Sequence, residues 1–78
     1  MNMLNELETV VIVNDIPEYN LITGDIGVVV HIYENDFAAE VEFVTGEGST
    51  VGVLTLPVKD LRKIARDEIL HVRDLHTA

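Results

Sequence analysis

Two carboxylates on one predicted strand have the spacing best suited to acid–base chemistry. Glu40 and Glu42 alternate with Ala39, Val41 and Phe43, so both project from the same face of the strand. Strand geometry separates such side chains by about 7 Å, within the range that general acid–base pairs use. The same alternation is typical of a strand with one buried face and one face in water. We favour the solvated face over a catalytic pair.

The other reactive side chains form no complete site in the sequence. Ser49 is the only serine, and no Gly-x-Ser-x-Gly elbow surrounds it. His71, Asp74 and His76 are close in sequence, but their spacing matches no defined ligand set and chain ends tend to fray. The chain has no cysteine, which excludes thiol catalysis, disulfides and Cys-ligated zinc. We therefore predict no enzymatic activity, no metal and no other cofactor.

The N-terminal residues and the apolar runs indicate no targeting signal. Residues 1–6 lack the basic start and the long apolar run of a signal peptide. The longest apolar run, residues 26–30, is far shorter than a membrane span. Together with the absence of cysteine, these features lead us to expect a cytoplasmic location.

The charge is strongly negative and unevenly distributed. The 78 residues include 14 Asp or Glu and 5 Lys or Arg, giving a formal charge of −9. Residues 1–58 carry ten acids and no Lys or Arg, whereas the remainder carries all five basic residues and four acids, so the two parts have charges of −10 and +1. Nucleic acid and anionic membranes are bound through Lys and Arg, so both are disfavoured as partners. A basic protein would be attracted to the acidic part.

We expect the acids that bind such a partner to lie in the first connection, the second turn and the third strand. These predicted partner-binding residues are Glu18, Glu34, Asp36, Glu40 and Glu42.

The basic residues near the C-terminus have a spacing of their own. Lys59, Arg62, Lys63 and Arg66 follow the i, i+3, i+4, i+7 pattern, which gives one positive stripe if the segment is helical. That stripe has two uses, pairing with the acids of the same chain or with the acidic face of a second copy. We favour the second use and predict self-association through Arg62, Lys63 and Arg66 in a homo-oligomer.

Alternation with a period of two dominates residues 9–56 and predicts a β domain. The predicted strands are residues 9–13, 26–33, 39–43, 50–56 and 68–73, with a 3₁₀ or helical turn at 57–62 before the last one. Five short strands with tight hairpins indicate a small SH3-like β-barrel. The structural alternative is an open sheet of four or five strands. The predicted organisation is an N-terminal tail or short helix at 1–8, one domain at 9–75 and a tail at 76–78.

Particular positions within these strands carry further expectations. Strict alternation in the second strand sets His31 on the same face as Val29 and Tyr33, so we expect His31 to pack beside Tyr33. Gly52, within the fourth strand, predicts a bulge or a tight bend. If the N-terminal segment is helical, Met3, Leu4 and Leu7 share one face.

One local motif resembles a known element. Residues 23–32, in which Gly24-x-x-Gly27 enters an apolar strand, are similar to the KOW-type element of ribosomal proteins and transcription elongation factors. The resemblance implies an SH3-like hairpin. KOW modules that bind RNA bring basic residues, whereas here the flanking charged residues are Glu18, Asp25 and Glu34. We take the resemblance as an indication of fold.

A wider pattern resembles a domain-of-unknown-function family of cyanobacteria and other bacteria, of the DUF4926 type. The matching segments keep their order across about residues 8 to 75, namely 15–19, 24–27, 40–44, 54–56 and 69–73. Asn20 departs from the glycine common after Tyr19, and Gly46-Glu47-Gly48 replaces a simpler turn. The family has no established activity. Its members resemble stand-alone genes beside toxin-like or nuclease-like genes, which implies an antitoxin or immunity role.

Our leading hypothesis is a non-enzymatic acidic module that binds a basic protein, such as a toxin or nuclease. One alternative is a structural barrel that self-associates. The other is a KOW-like module associated with nucleic acid.

Overall fold

The computed structural model describes residues 4–75 and contains five strands and three 3₁₀ turns. The strands are β1 (Thr9–Ile12), β2 (Ile26–Ile32), β3 (Ala38–Val44), β4 (Thr50–Pro57) and β5 (Leu61–Lys63). The 3₁₀ turns are Pro17–Tyr19, Glu34–Asp36 and Val58–Asp60. No helix within residues 4–75 has the length and apolar character needed to cross a membrane.

All five strands belong to one antiparallel sheet with the order β4-β3-β2-β1-β5. Consecutive strands β1 to β4 form hairpins, and the 3₁₀ turn Val58–Asp60 returns the chain so that β5 pairs with β1. The predicted fold is confirmed: it is small, mainly β and SH3-like, with five strands and a 3₁₀ turn before the last one. We call residues 9–63 the barrel.

The alternation in β3 determines where the core lies. Ala39, Val41 and Phe43 are buried, whereas Glu40 and Glu42 between them lie on the other face and are half-buried. This arrangement confirms the predicted two-sided strand. The complete buried set within the described residues is Leu4, Val10, Val11, Ile12, Leu21, Val29, Ala39, Val41, Phe43, Leu54 and Leu61.

A bulge in β2 reverses the predicted alternation of its second half. The register with β3 shifts between Val29 and His31, which leaves Val30 as an extra residue. Since one inserted residue exchanges the two faces, Ile32 packs against the core and His31 is exposed. The expectation that His31 and Tyr33 share the face of Val29 was therefore wrong.

The last strand lies earlier in the chain than predicted. Leu61–Lys63 pairs with β1, and residues 64–75, which we call the C-terminal segment, contain no strand. Leu61 is the only buried residue after Leu54 in the described chain, so it anchors the strand, whereas Ile69 and Val72 are 90% exposed. The predicted strand at 68–73 was wrong because its apolar side chains have no core to cover. The conditional helix through Arg62 does not form either.

Residues 4–8 precede β1 and form a turn rather than a helix. Leu4 is buried in the core and Leu7 is exposed, so these two residues do not share one face. The amide of Leu7 donates to the carbonyl of Val29, and the amide of Val29 donates to the carbonyl of Glu8. Met3, the other residue expected on that face, lies outside the described residues.

Two glycines allow close packing inside the barrel. A Cβ at Gly27 would lie 2.5 Å from Val41 Cγ1 and 2.9 Å from Phe43 Cε2. Gly52 pairs with Phe43 next to a register shift in the β3–β4 ladder, which confirms the predicted bulge. A Cβ there would lie 3.3 Å from Tyr19 Cδ1, so the tyrosine ring covers this glycine.

We predict that Gly27→Ala destabilises the chain by about 1–3 kcal/mol, because the added methyl group overlaps Val41 and Phe43. The measurement is the free energy of unfolding from urea denaturation followed by circular dichroism. Gly46→Ala is the matched control, since a Cβ at Gly46 meets nothing within 4 Å. Equal stability of the two variants would contradict the packing argument.

Candidate functional site

The outer side of the β2–β3–β4 sheet carries the carboxylates that the sequence singled out. His31 and Thr55 flank Glu40 on the neighbouring strands, and Val28 and Val53 flank Glu42. The hydroxyl of Tyr33, just after β2, reaches Glu40. We call this surface the acidic face: Val28, His31, Tyr33, Glu40, Glu42, Val53 and Thr55.

Hydroxyl groups orient both carboxylates of the acidic face. The Tyr33 hydroxyl donates to Glu40 Oε1 at 2.7 Å, and Thr55 Oγ1 donates to the same oxygen at 3.3 Å. Thr50 Oγ1 donates to Glu42 Oε2 at 3.0 Å. These neutral donors hold the two carboxylates in place and leave their negative charges uncompensated.

Tyr33 links the acidic face to the histidine of β2. The rings of His31 and Tyr33 meet edge to face with centroids 4.7 Å apart, which confirms that His31 packs beside Tyr33. His31 Nδ1 also lies 3.7 Å from Glu6 Oε2. The hydrogen bond to Glu40 raises the pKa of the Tyr33 phenol, because its ionisation would set two anions side by side.

The other predicted partner-binding acids lie on two different elements. Glu34 and Asp36 belong to the 3₁₀ turn that joins β2 to β3, so they extend the acidic hairpin beyond Tyr33. Glu18 belongs to the first 3₁₀ turn, beside Tyr19. All three side chains are in exposed residues. The structure thus brings four of the five predicted acids to the β2–β3 hairpin and places Glu18 elsewhere.

The basic residues predicted for self-association lie near acids of their own chain. Arg62 forms a two-pronged ion pair with Glu68, with both N···O distances at 2.7 Å, and Lys63 Nζ lies 3.4 Å from Glu8 Oε2. The Arg62 contacts, with the Ala65 amide, lower the pKa of Glu68 to about 2. Within residues 4–75, Arg66 has no ion pair, and no Lys or Arg lies within 4.0 Å of a carboxylate of the acidic face.

A second polar site joins the C-terminal segment to the barrel. Arg73 Nε donates to Asp25 Oδ1 at 2.8 Å, and its NH2 group donates to Asp25 Oδ2 and to the carbonyl of Asn20. Asn20 Nδ2 in turn donates to the carbonyl of Leu75. Burial works to raise the pKa of Asp25, but Arg73 and the Ile22 amide outweigh it and hold that pKa below its usual value.

The sequence offered no signal for this pair. Asp25 stands in the Gly24-Asp25-Ile26-Gly27 motif, which we interpreted as structural, and Arg73 stands 48 positions later in a predicted strand. No periodicity connects residues so far apart. Only the folded path of the C-terminal segment brings them together.

A cavity of about 650 Å³ separates the C-terminal segment from the barrel. Leu21, Ile26, Phe43 and Val51 line it from the barrel, and Val72 and Leu75 line it from the segment. The cavity lies next to the Asp25–Arg73 pair, so apolar side chains of the barrel lie beside this ion pair.

The candidates for metal binding and nucleophilic catalysis, His31, Ser49 and His71, lie on different elements of the described chain. Within residues 4–75, no three His, Cys, Asp or Glu side chains are grouped so that they could hold a metal ion. Ser49 Oγ donates to Glu47 Oε1 at 3.3 Å in the β3–β4 turn. His76, which the sequence analysis considered as a metal ligand, lies outside the described residues. What the site can offer is oriented negative charge beside exposed apolar side chains.

Comparison with known protein families identifies a family for the barrel. The model of a domain of unknown function, DUF4926, matches residues 6–63. The match covers the barrel and leaves the C-terminal segment outside. No curated protein and no solved structure matches the chain.

We predict that Tyr33 ionises at higher pH than an isolated tyrosine and that Glu40→Gln lowers its pKa. Tyr19→Phe makes Tyr33 the only tyrosine in the chain, since there are two in total. Ultraviolet absorbance of the phenolate then gives its pKa directly. Glu42→Gln, which keeps the Tyr33–Glu40 bond, is the control, and an equal drop in both variants would contradict the assignment.

The Asp25–Arg73 pair predicts a pH dependence of stability. Because the folded-state pKa of Asp25 is lowered, its contribution is complete well above the ordinary value of 3.8 and is lost as pH falls below it. The difference in the free energy of unfolding between the unchanged chain and Asp25→Asn should therefore be largest near neutral pH and shrink below pH 3.8. Urea denaturation across this range measures it, and a constant difference would refute the linkage.

Proposed function

The chain belongs to DUF4926, a domain family of unknown function, and we propose that it is a non-enzymatic module that binds a basic protein partner through the acidic face. The proposed partner is a basic toxin or nuclease, and the proposed role of the chain is that of an inhibitor of the antitoxin or immunity type. We propose that it acts in the cytoplasm.

The observation that carries this proposal is the separation of positive and negative charge. Glu40 and Glu42 are held by hydroxyl groups, and Glu34 and Asp36 extend the same hairpin. Three of the five basic residues are paired elsewhere, with Glu68, Glu8 and Asp25. A positively charged surface approaching Glu40 and Glu42 therefore meets no Lys or Arg of the described chain within 4.0 Å of either carboxylate.

Apolar side chains next to these carboxylates supply the second requirement of an interface. Phe37, at the end of the β2–β3 hairpin, is 77% exposed, and Tyr33 and Val53 are also exposed. Protein interfaces combine an apolar, often aromatic, centre with polar groups around it. Charge then increases the rate of encounter and selects the partner, while the apolar contacts slow dissociation.

The same charge distribution weighs against the nucleic-acid alternative. Binding to phosphates needs several Lys or Arg side chains on one surface. Arg62, Lys63 and Arg73 are instead engaged in ion pairs. Retention on an RNA or DNA column at low salt would favour that alternative, and a dimer in light scattering would favour the self-associating barrel.

We predict that Glu40→Lys/Glu42→Lys slows association with the basic partner at least about tenfold at low salt and flattens its salt dependence. The first partner to test is the product of the gene adjacent to its own, co-expressed and co-purified with the chain. Association rates at several salt concentrations then measure the effect.

The matched control is Glu47→Lys/Asp67→Lys, which changes the net charge by the same amount outside the acidic face. It should slow association less, because it alters only the long-range field. Equal slowing by both double variants would contradict a role for the acidic face. Failure of the unchanged chain to bind the neighbouring protein would remove the antitoxin proposal.

A further inference from the structure

Arg73 contacts Asp25 and Asn20 as a bound ligand contacts a protein. We call Asp25 and Asn20 the receptor side, and Arg73 with the C-terminal segment the ligand side. The guanidinium meets three acceptor oxygens, both carboxylate oxygens of Asp25 and the carbonyl oxygen of Asn20. Planar, two-pronged recognition of this kind suits arginine and is poorly matched by lysine, whose ammonium is a point charge.

The acceptors are positioned by the barrel without help from Arg73. The amide of Ile22 donates to Asp25 Oδ2 at 2.9 Å, and the amide of Ile12 donates to the Asp25 carbonyl at 3.0 Å. Asn20 ends the first 3₁₀ turn in a left-handed conformation, φ 58°, fixed by a bond from its amide to the Pro17 carbonyl. The receptor side is therefore part of the sheet and its first connection.

The C-terminal segment, which carries Arg73, buries few apolar side chains against the barrel. Ile69 and Val72 are almost fully exposed, and the C-terminal segment forms no strand with the barrel. Beside Arg73 the segment lies over the cavity of about 650 Å³, whose walls include Leu21, Ile26 and Phe43. Val72 and Leu75 line this space from the segment.

We propose that Asp25 and Asn20 form an arginine-binding site, occupied in this structure by the chain's own Arg73, that accepts an extended protein segment carrying an arginine among apolar residues. The charge of Asp25, the fork of acceptors and the apolar side chains of Leu21, Ile26 and Phe43 in the adjacent cavity all fit that ligand. The family match at residues 6–63 includes Asp25 and Asn20 and ends before Arg73.

The tethered arginine acts as a competitor. A segment on the same chain is present at a local concentration in the millimolar range, so it masks the site from weak external ligands. A partner gains access by offering better apolar contacts in the cavity. This site is separate from the acidic face and stands independently of the proposed function.

The test uses the full chain and a fluorescent peptide, Ile-Leu-His-Val-Arg-Asp-Leu, which copies residues 69–75. Fluorescence anisotropy should show that Arg73→Ala binds this peptide at least about tenfold more tightly than the unchanged chain does. Replacing the arginine of the peptide by lysine should abolish most of the gain. Equal affinity of the two proteins, or equal binding of the two peptides, would overturn the proposal.

Further variants separate site-specific binding from general effects. Arg73→Ala/Asp25→Asn should lose the gained affinity, whereas Arg73→Ala/Asp67→Asn, which removes an exposed carboxylate elsewhere, should keep it. Thermal unfolding shows whether Arg73→Ala disturbs folding. If it does, Arg73→Lys, which keeps the charge, is used instead. Its affinity for the peptide should exceed that of the unchanged chain. Because the readout depends on Asp25, failure here leaves the acidic-face proposal standing, and failure of that proposal leaves this one standing.

Discussion

The alternation of side chains along β3 is the constraint on which the rest of the structure depends. Val41 lies at the centre of the sheet, paired with Val29 on one side and Leu54 on the other. A shift of one residue in either ladder would turn Glu40 and Glu42 into the core, at the cost of burying two charges. The apolar face and the acidic face are therefore two results of the same register.

The bulge in β2 adds the aromatic part of the acidic face. Without the extra residue Val30, strict alternation would turn His31 and Tyr33 toward the side of Val29. With it, Ile32 covers the core and the Tyr33 hydroxyl reaches Glu40. One inserted residue thus supplies both a core contact and the donor that orients a carboxylate.

The sequence was informative where structure depends on neighbours in the chain. Alternation located β3 and β4 to within one residue at each end, and Pro57 marked the turn before the last strand. The three residues of β5 carry no alternation of their own, and they form a strand because β1 offers an edge to Leu61. The bulge at Val30 depends in the same way on the partner strand. Asp25 and Arg73 meet through tertiary structure alone, which periodicity cannot reveal.

Strand order explains why the basic residues leave the acidic face uncompensated. All five basic residues follow β4, and the chain then returns to the far edge of the sheet, where β5 pairs with β1. In the order β4-β3-β2-β1-β5, two strands separate β5 from β3. Arg62 and Lys63 therefore meet acids near that edge, Glu68 and Glu8, rather than Glu40. The uneven charge of the sequence becomes, through topology, two distinct surfaces. One is an acidic face whose carboxylates pair with no Lys or Arg within residues 4–75, and the other is a carboxylate site whose cation comes from the C-terminal segment.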